Sequence, residues 1–203
     1  MNRISQYLVY PIVRFFSCIF LKVEFKNPEG LRPIVGKPAV IVANHISFYD
    51  SFLLRLNGES VGLSLYFMGV KSFNSPHMRF LWTIGIVPLV YKLFGVFLVY
   101  PGQGLQKNLE APKQLLAQGN QVFIFPEGSV NDSGTLKPFK KGAAALAVAM
   151  NAPVLPIAFK EESSTGRRKK VVITIGQPMQ FPAGTSVETA NAEMEARMKE
   201  MLA

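Results

Sequence analysis

The chain has 203 residues, with 22 Lys or Arg against 13 Asp or Glu, a net charge of +9. Apolar residues make up 49% and charged residues 17%, which excludes intrinsic disorder, a state that needs low hydrophobicity and high charge. The single cysteine, Cys18, excludes an internal disulfide framework and a thiolate-based zinc site.

At about 150 residues per domain the length predicts one domain. A basic, apolar, disulfide-free chain fits the cytoplasmic side of a membrane. Nucleic acid is the rival partner for a basic chain and is disfavoured. Most Phe residues lie inside apolar runs such as Phe15-Phe16, away from the basic clusters, whereas strand-binding platforms interleave the two.

From the N-terminus, Arg3 is followed by an apolar stretch, Ile4–Leu21, broken by Pro11 and Arg14 and closed by Lys22. A cleaved signal peptide needs an unbroken apolar stretch and a small-residue cleavage site. A spanning helix needs about 20 consecutive apolar residues. Neither pattern is met. The stretch predicts an interfacial helix whose cations reach lipid headgroups. Residues 1–36 are therefore expected to form a membrane-associating segment ahead of a domain over 37–203.

Strand-like runs recur at Ala39–Ala43, Leu63–Val70, Gly95–Tyr100, Gln121–Phe125, Val154–Phe159 and Val171–Ile175. Helix-like runs fall between several of them, at Tyr49–Leu56, Leu105–Ala117 and Lys140–Met150. This alternation predicts a single-domain α/β fold, with a largely parallel central sheet flanked by helices. The greasy segment Phe80–Tyr100 reads as a buried helix, turn and strand, with a lipid-dipping surface as the alternative. Thr185 and Glu188 are spaced as the capping box of a last helix. That helix carries Val187, Ala190, Met194, Met198 and Met201 on one core-facing side.

Three segments carry candidate chemistry. Asn44-His45-Ile46-Ser47-Phe48-Tyr49-Asp50 places a histidine and an aspartate five apart at the end of a strand. In one regular helix or strand the two side chains would diverge, so they meet only if the chain turns between them. A strand-to-helix junction supplies that turn. Histidine can then take a proton near neutral pH, with the aspartate fixing its tautomer. Phe125-Pro126-Glu127-Gly128-Ser129 also ends a strand, and ligands in open α/β sheets bind beyond the carboxyl ends of strands. Further on, Leu136-Lys137-Pro138-Phe139-Lys140-Lys141-Gly142-Ala143 opens a helix whose N–H groups and lysines attract an anion.

These segments together resemble the glycerolipid (lysophospholipid) acyltransferases of the 1-acyl-glycerol-3-phosphate acyltransferase type. His45 with Asp50 resembles the family's H-x-x-x-x-D motif and Phe125–Ser129 its F-P-E-G-[TS] motif. Phe139–Ala143 and Val154–Ile157 resemble the stretches that follow, so the resemblance runs from about Lys37 to Phe159. It implies transfer of a fatty acyl group from acyl-CoA or acyl carrier protein, as co-substrate, to a hydroxyl of a lysolipid. No cofactor and no metal is implied. By the resemblance His45 is the general base and Asp50 its orienter, while Glu127, Gly128 and Ser129 help hold the acceptor.

Family members that form phosphatidate usually carry an arginine where this chain has Val130, and another in a middle motif that here ends in Pro101. Lys71, Lys137, Lys140 and Lys141 remain to supply positive charge, although lysine lacks the bidentate fork of arginine. The substitutions favour an acceptor with a diester, zwitterionic or amino-acid headgroup over lysophosphatidic acid. A catalytically silent lipid-binding protein on the same fold is the non-enzymatic alternative.

Other reactive side chains read as ordinary. Ser47 and Ser129 sit in no nucleophile elbow. Cys18 reads as a packed hydrophobe and His77 as a loop residue. Arg167–Lys170 reads as a solvated turn or as a contact to anionic headgroups.

Overall fold

Alternation within Ala39–Ala43 decides the architecture. Val40 and Val42 point to one side of the sheet and Ala39, Ile41 and Ala43 to the other, and all five are buried. A strand covered on both faces belongs in the middle of a parallel sheet. The computed structural model describes residues 19–203 except 48, 59–61, 71–75, 132 and 163–167.

In chain order the elements are β1 (Leu21–Lys26), a 3-10 helix (Pro28–Ile34), β2 (Ala39–Ala43), α1 (Asp50–Gly58) and β3 (Leu65–Val70). Then come α2 (Pro76–Thr83), α3 (Ile86–Leu93), β4 (Val96–Val99), α4 (Leu105–Ala117) and β5 (Gln121–Ile124). The chain continues through α5 (Gly142–Met150), β6 (Val154–Glu162), β7 (Lys169–Ile175) and α6 (Val187–Leu202). The strand order is β1-β7-β6-β2-β5-β3-β4. Among the described residues every ladder of this sheet is parallel except β6–β7.

Helices α4, α5 and α6 cover the Val40–Val42 face, with Leu116, Leu146, Met194 and Met198 in its core. The 3-10 helix and α1 cover the other face through Leu31, Ile34, Leu53 and Leu54. Helix α5 is apolar all round, with Ala143 to Ala147 all buried, as befits a helix wedged between neighbours. Its small side chains allow that close approach, and Asn151 ends it in the left-handed conformation at φ 45°.

The sequence expectation and the structure part at four places. Residues 21–26 form β1, parallel to β7 with Val23 opposite Val171, so the fold begins well before residue 37. Leu21, Val23 and Phe25 alternate with Lys22, Glu24 and Lys26, but the apolar stretch just before them masks that period.

The expected interfacial helix falls almost entirely on residues 1–18, outside the described residues, as does Cys18. Of its last residues, Phe20 is exposed and Leu21 already belongs to β1. Phe80–Tyr100 is not a buried segment: α2 buries no residue and α3 buries only Val87. His77 lies in the first turn of α2, not in a loop. Finally, the cap of α6 is Ser186, whose hydroxyl accepts from Thr189 N at 3.0 Å. Thr185 instead bonds back to Pro182 O, and Glu188 pairs with Lys141. The anticipated apolar face of α6 is as read, with Ala190, Met194 and Met198 fully buried.

Candidate active site

Strands β2 and β5 are parallel neighbours, so the segments that follow them leave the sheet side by side at its carboxyl-terminal edge. Asn44 fixes the first of these segments. Its amide donates to Phe159 O at 2.9 Å and accepts from Phe159 N at 2.7 Å, tying the end of β2 to β6. The chain then turns, and Asp50 N bonds to Ser47 O at 3.2 Å as α1 begins.

That turn brings His45 Nδ1 within 3.0 Å of Asp50 Oδ2. The same oxygen accepts Ser47 N–H at 2.8 Å. A carboxylate can only accept, so Nδ1 carries the ring proton and Nε2 keeps its lone pair. The imidazole side chain is 16% exposed, and it lies flat against the Phe125 ring, with centroids 3.8 Å apart at 10°. Phe125 is held edge-on by Phe123. The imidazole is therefore fixed in tautomer by Asp50 and in plane by Phe125.

Glu127 fixes the backbone of His45. It is buried, and Oε1 accepts His45 N–H at 2.8 Å. Its Oε2 accepts Asn131 Nδ2 at 2.7 Å and Lys137 N–H at 2.9 Å. From the same loop Asn131 N donates to His45 O at 2.6 Å. Both backbone groups of His45 are thus bonded to the loop after β5. Both Glu127 oxygens contact protein, and Glu127 also borders the cleft beside this loop.

Gly128 sits at φ +76° beneath the Lys140 side chain, where a Cβ would collide with its outer carbons. Only glycine combines that conformation with that approach. Lys137 Nζ lies 3.3 Å from Ser129 Oγ and 3.0 Å from the Val130 carbonyl. Neither Lys137 nor Lys140 has a carboxylate partner among the described residues. Lys141 differs, since its ammonium bonds Glu188 at 2.6 Å. Lys71 lies outside the described residues. The two serines are engaged elsewhere, Ser129 with Lys137 and Ser47 with Tyr49. Lys169 and Lys170 pair across the sheet with Glu161, Glu162 and Glu24.

A cleft of about 770 Å³ opens beside this loop, bordered by Asn44, Ile46, Asn131, Leu136, Phe159, Lys160 and Lys199 among others. Among the described residues no group of three or more His, Cys, Asp or Glu is arranged to hold a metal ion. Sequence reasoning assigned no role to Phe125 and missed Asn131. The latter lies in Val130-Asn131-Asp132-Ser133-Gly134, a composition that signals a turn and nothing more.

Comparison with known proteins places this geometry. Residues 22–160 match the family model described as Acyltransferase. Human 1-acyl-sn-glycerol-3-phosphate acyltransferase beta is 31% identical over 170 residues, which cover 81% of this chain and 56% of that protein. The 1-acyl-sn-glycerol-3-phosphate acyltransferase of Pseudomonas aeruginosa is 30% identical over 130 residues, covering 64% of this chain and 47% of the other. The chain spans about half the length of such curated relatives. The crystal structure of PlsC, the 1-acyl-sn-glycerophosphate (LPA) acyltransferase of Thermotoga maritima, shares the fold with a TM-score of 0.68 at 22% identity. That match covers 98% of this chain and 80% of PlsC.

Asp50 generates a pH prediction. Burial pushes its carboxyl above the usual range, against the opposing pull of the His45 and Ser47 hydrogen bonds. Its Oδ1 is buried with no hydrogen-bond partner among the described residues. A carboxyl that holds its proton more tightly when folded than when unfolded loses stability as pH rises from about 4, the unfolded value, through its folded pKa. The loss persists at neutral pH. Asp50→Asn removes that titration and should flatten the acid-to-neutral slope of thermal stability, with Tm at pH 7 no lower than wild type. A Tm several degrees lower would show that the Asp50 carboxylate stabilises the fold.

Proposed function

Because the chain belongs to the acyltransferase family, we propose that it transfers a fatty acyl group from a thioester donor to the free hydroxyl of a lysophospholipid. The observation that carries this reading is the His45–Asp50 pair, fixed in tautomer, plane and backbone. His45 Nε2 takes the proton of the acceptor hydroxyl as its oxygen attacks the thioester carbonyl. The new C–O bond forms, the C–S bond breaks, and the leaving thiolate takes the proton back from the imidazolium. Asp50 stabilises the cation in between. Acyl-CoA or acyl carrier protein is the donor, and neither a cofactor nor a protein nucleophile takes part in the step as written.

The acceptor is 1-acyl-sn-glycerol-3-phosphate, the substrate class named in the relatives. Lys137 and Lys140 bracket the 128–130 loop, and neither has a carboxylate partner among the described residues. Lys137 Nζ reaches the carbonyl of Val130, the position where the resembled motif has arginine, and so brings a cation back to that corner. Glu127 is a positioning residue that ties this corner to the base. A second reading has a specific observation in its favour. Val130 is apolar and 45% exposed, and a lysine point charge suits a diester or zwitterionic headgroup as well as a phosphomonoester.

With a lipid acceptor the protein works at a membrane surface. Among the described residues no helix is long and apolar enough to cross a membrane.

The test is a panel of lysolipids with labelled acyl-CoA and acyl carrier protein, read by mass spectrometry. His45→Ala should lower transfer by about 10²–10⁴-fold with the fold intact. Rapid mixing with donor alone should release no burst of thiol. A trapped acyl-Ser47 or acyl-Ser129 would overturn direct transfer.

Lys137→Met should lower kcat/KM for 1-acyl-sn-glycerol-3-phosphate by about tenfold, the equivalent of one charge-assisted bond. Zwitterionic acceptors should be affected less, and Lys137→Arg should retain the preference. Equal losses on all acceptors would contradict the phosphate contact.

A further inference from the structure

Nearly half of the large apolar side chains exposed among the described residues sit on one short hairpin. Helices α2 and α3, joined through Ile84-Gly85, present Phe80 at 63% exposure, Leu89 at 56%, and Ile84, Ile86 and Val90 beside them. A helix pair on a protein surface ordinarily turns its apolar side inward and its polar side to water. Here the outer side is the apolar one. The inner attachments are few: Val87 is buried, Trp82 meets Tyr91 edge-on at 6.0 Å, and Tyr91 approaches Gly69, where a Cβ would lie 3.3 Å from its ring.

The charge around the hairpin has one sign. Residues 60–109 contain no Asp or Glu, and their charged residues are Lys71, Arg79, Lys92 and Lys107. Arg79 and Lys92 lie on the hairpin itself, exposed, and form no ion pair among the described residues.

An apolar surface rimmed only by cations selects among possible occupants. Self-association about a two-fold axis would set Arg79 and Lys92 against further cations, with no Asp or Glu in residues 60–109 of either copy to answer them. One leaflet of an anionic membrane satisfies both features at once, taking the apolar side chains below its headgroups and the cations at its phosphates. The position agrees. The chain enters α2 from the carboxyl end of β3, the end of the sheet where His45 and Glu127 sit, and β4 beyond the hairpin is the edge strand.

We propose that the α2–α3 hairpin is a monotopic docking surface that seats Phe80, Ile84, Ile86 and Leu89 in an anionic leaflet and holds the catalytic edge of the sheet against it. The value of such docking to catalysis rests on the reading of the acceptor as a lipid. The docking itself does not depend on it.

Flotation of the full chain with phosphatidylcholine vesicles, with and without phosphatidylglycerol, tests the proposal. Phe80→Ser/Leu89→Ser should lower vesicle partition about tenfold or more, while Leu105→Ser, at an exposed apolar residue of α4, should change nothing. Arg79→Gln/Lys92→Gln should remove mainly the phosphatidylglycerol-dependent part, as should high salt. Unchanged partition in the Phe80/Leu89 variant would overturn the proposal. So would a wild-type dimer that this variant dissociates without loss of vesicle binding, since the face would then belong to a second copy. Transfer to a short-chain, fully dissolved acceptor should be unaffected by these variants. Absence of transfer to every acceptor in wild type would sink the acyl-transfer reading alone, because partition is read without catalysis.

Discussion

A carboxylate that is only 4% exposed survives in a protein when its oxygens are hydrogen-bonded, and Glu127 accepts three N–H groups, one from the loop after β2 and two from its own loop after β5. One comes from the histidine after β2, one from the Asn131 amide and one from the backbone of Lys137. Losing any of these leaves a buried charge short of a partner, at a cost of about 1–3 kcal/mol. The two loops are joined by His45 N–H to Glu127 and Asn131 N–H to His45 O, while Glu127 also braces its own loop through Asn131 and Lys137. That contact sets the backbone position of His45 and of Lys137, on which the Asp50 bond and the Phe125 stack then orient the imidazole.

The sheet makes this contact possible. Parallel neighbours deliver their following loops to one edge, and β2 and β5 are adjacent although Gln121, which opens β5, lies 77 positions after Asn44, the first residue past β2. Burial on both faces keeps β2 rigid up to Ala43, one residue before the Asn44 clasp on β6. The site itself is not optimised for stability. Asp50 is fully buried with one oxygen unpartnered among the described residues, so the fold holds a desolvated carboxyl next to the His45 imidazole. That is the usual trade where a group is kept for what it does to its neighbour.

The sequence made some of this visible and hid the rest for physical reasons. The runs at Ala39–Ala43 and Gln121–Phe125 are short, apolar and bounded by polar turns, so strand, edge and site could be read locally. The His45–Asp50 meeting followed from the turn alone. Strand β1 was hidden because its period-2 pattern abuts an apolar stretch. The hairpin was misplaced because apolar content tells that a surface avoids water, not whether protein or lipid covers it. Asn131 and the Lys141–Glu188 pair depend on segments 86 and 47 residues apart in the chain coming together, which no local pattern encodes. For the same reason the committed state of Glu127, Lys137 and Lys141 appears only once the loops are folded against each other.

The central claim is that Glu127 acts on the reaction through His45. A double-mutant cycle on kcat/KM, with His45→Ala, Glu127→Gln and both together, tests it most directly. If Glu127 serves to hold the base, Glu127→Gln costs activity in wild type and costs nothing further once the imidazole is gone. If the two losses multiply in the double variant, Glu127 acts on substrate or transition state independently of His45, and the clasp is not what makes the site work.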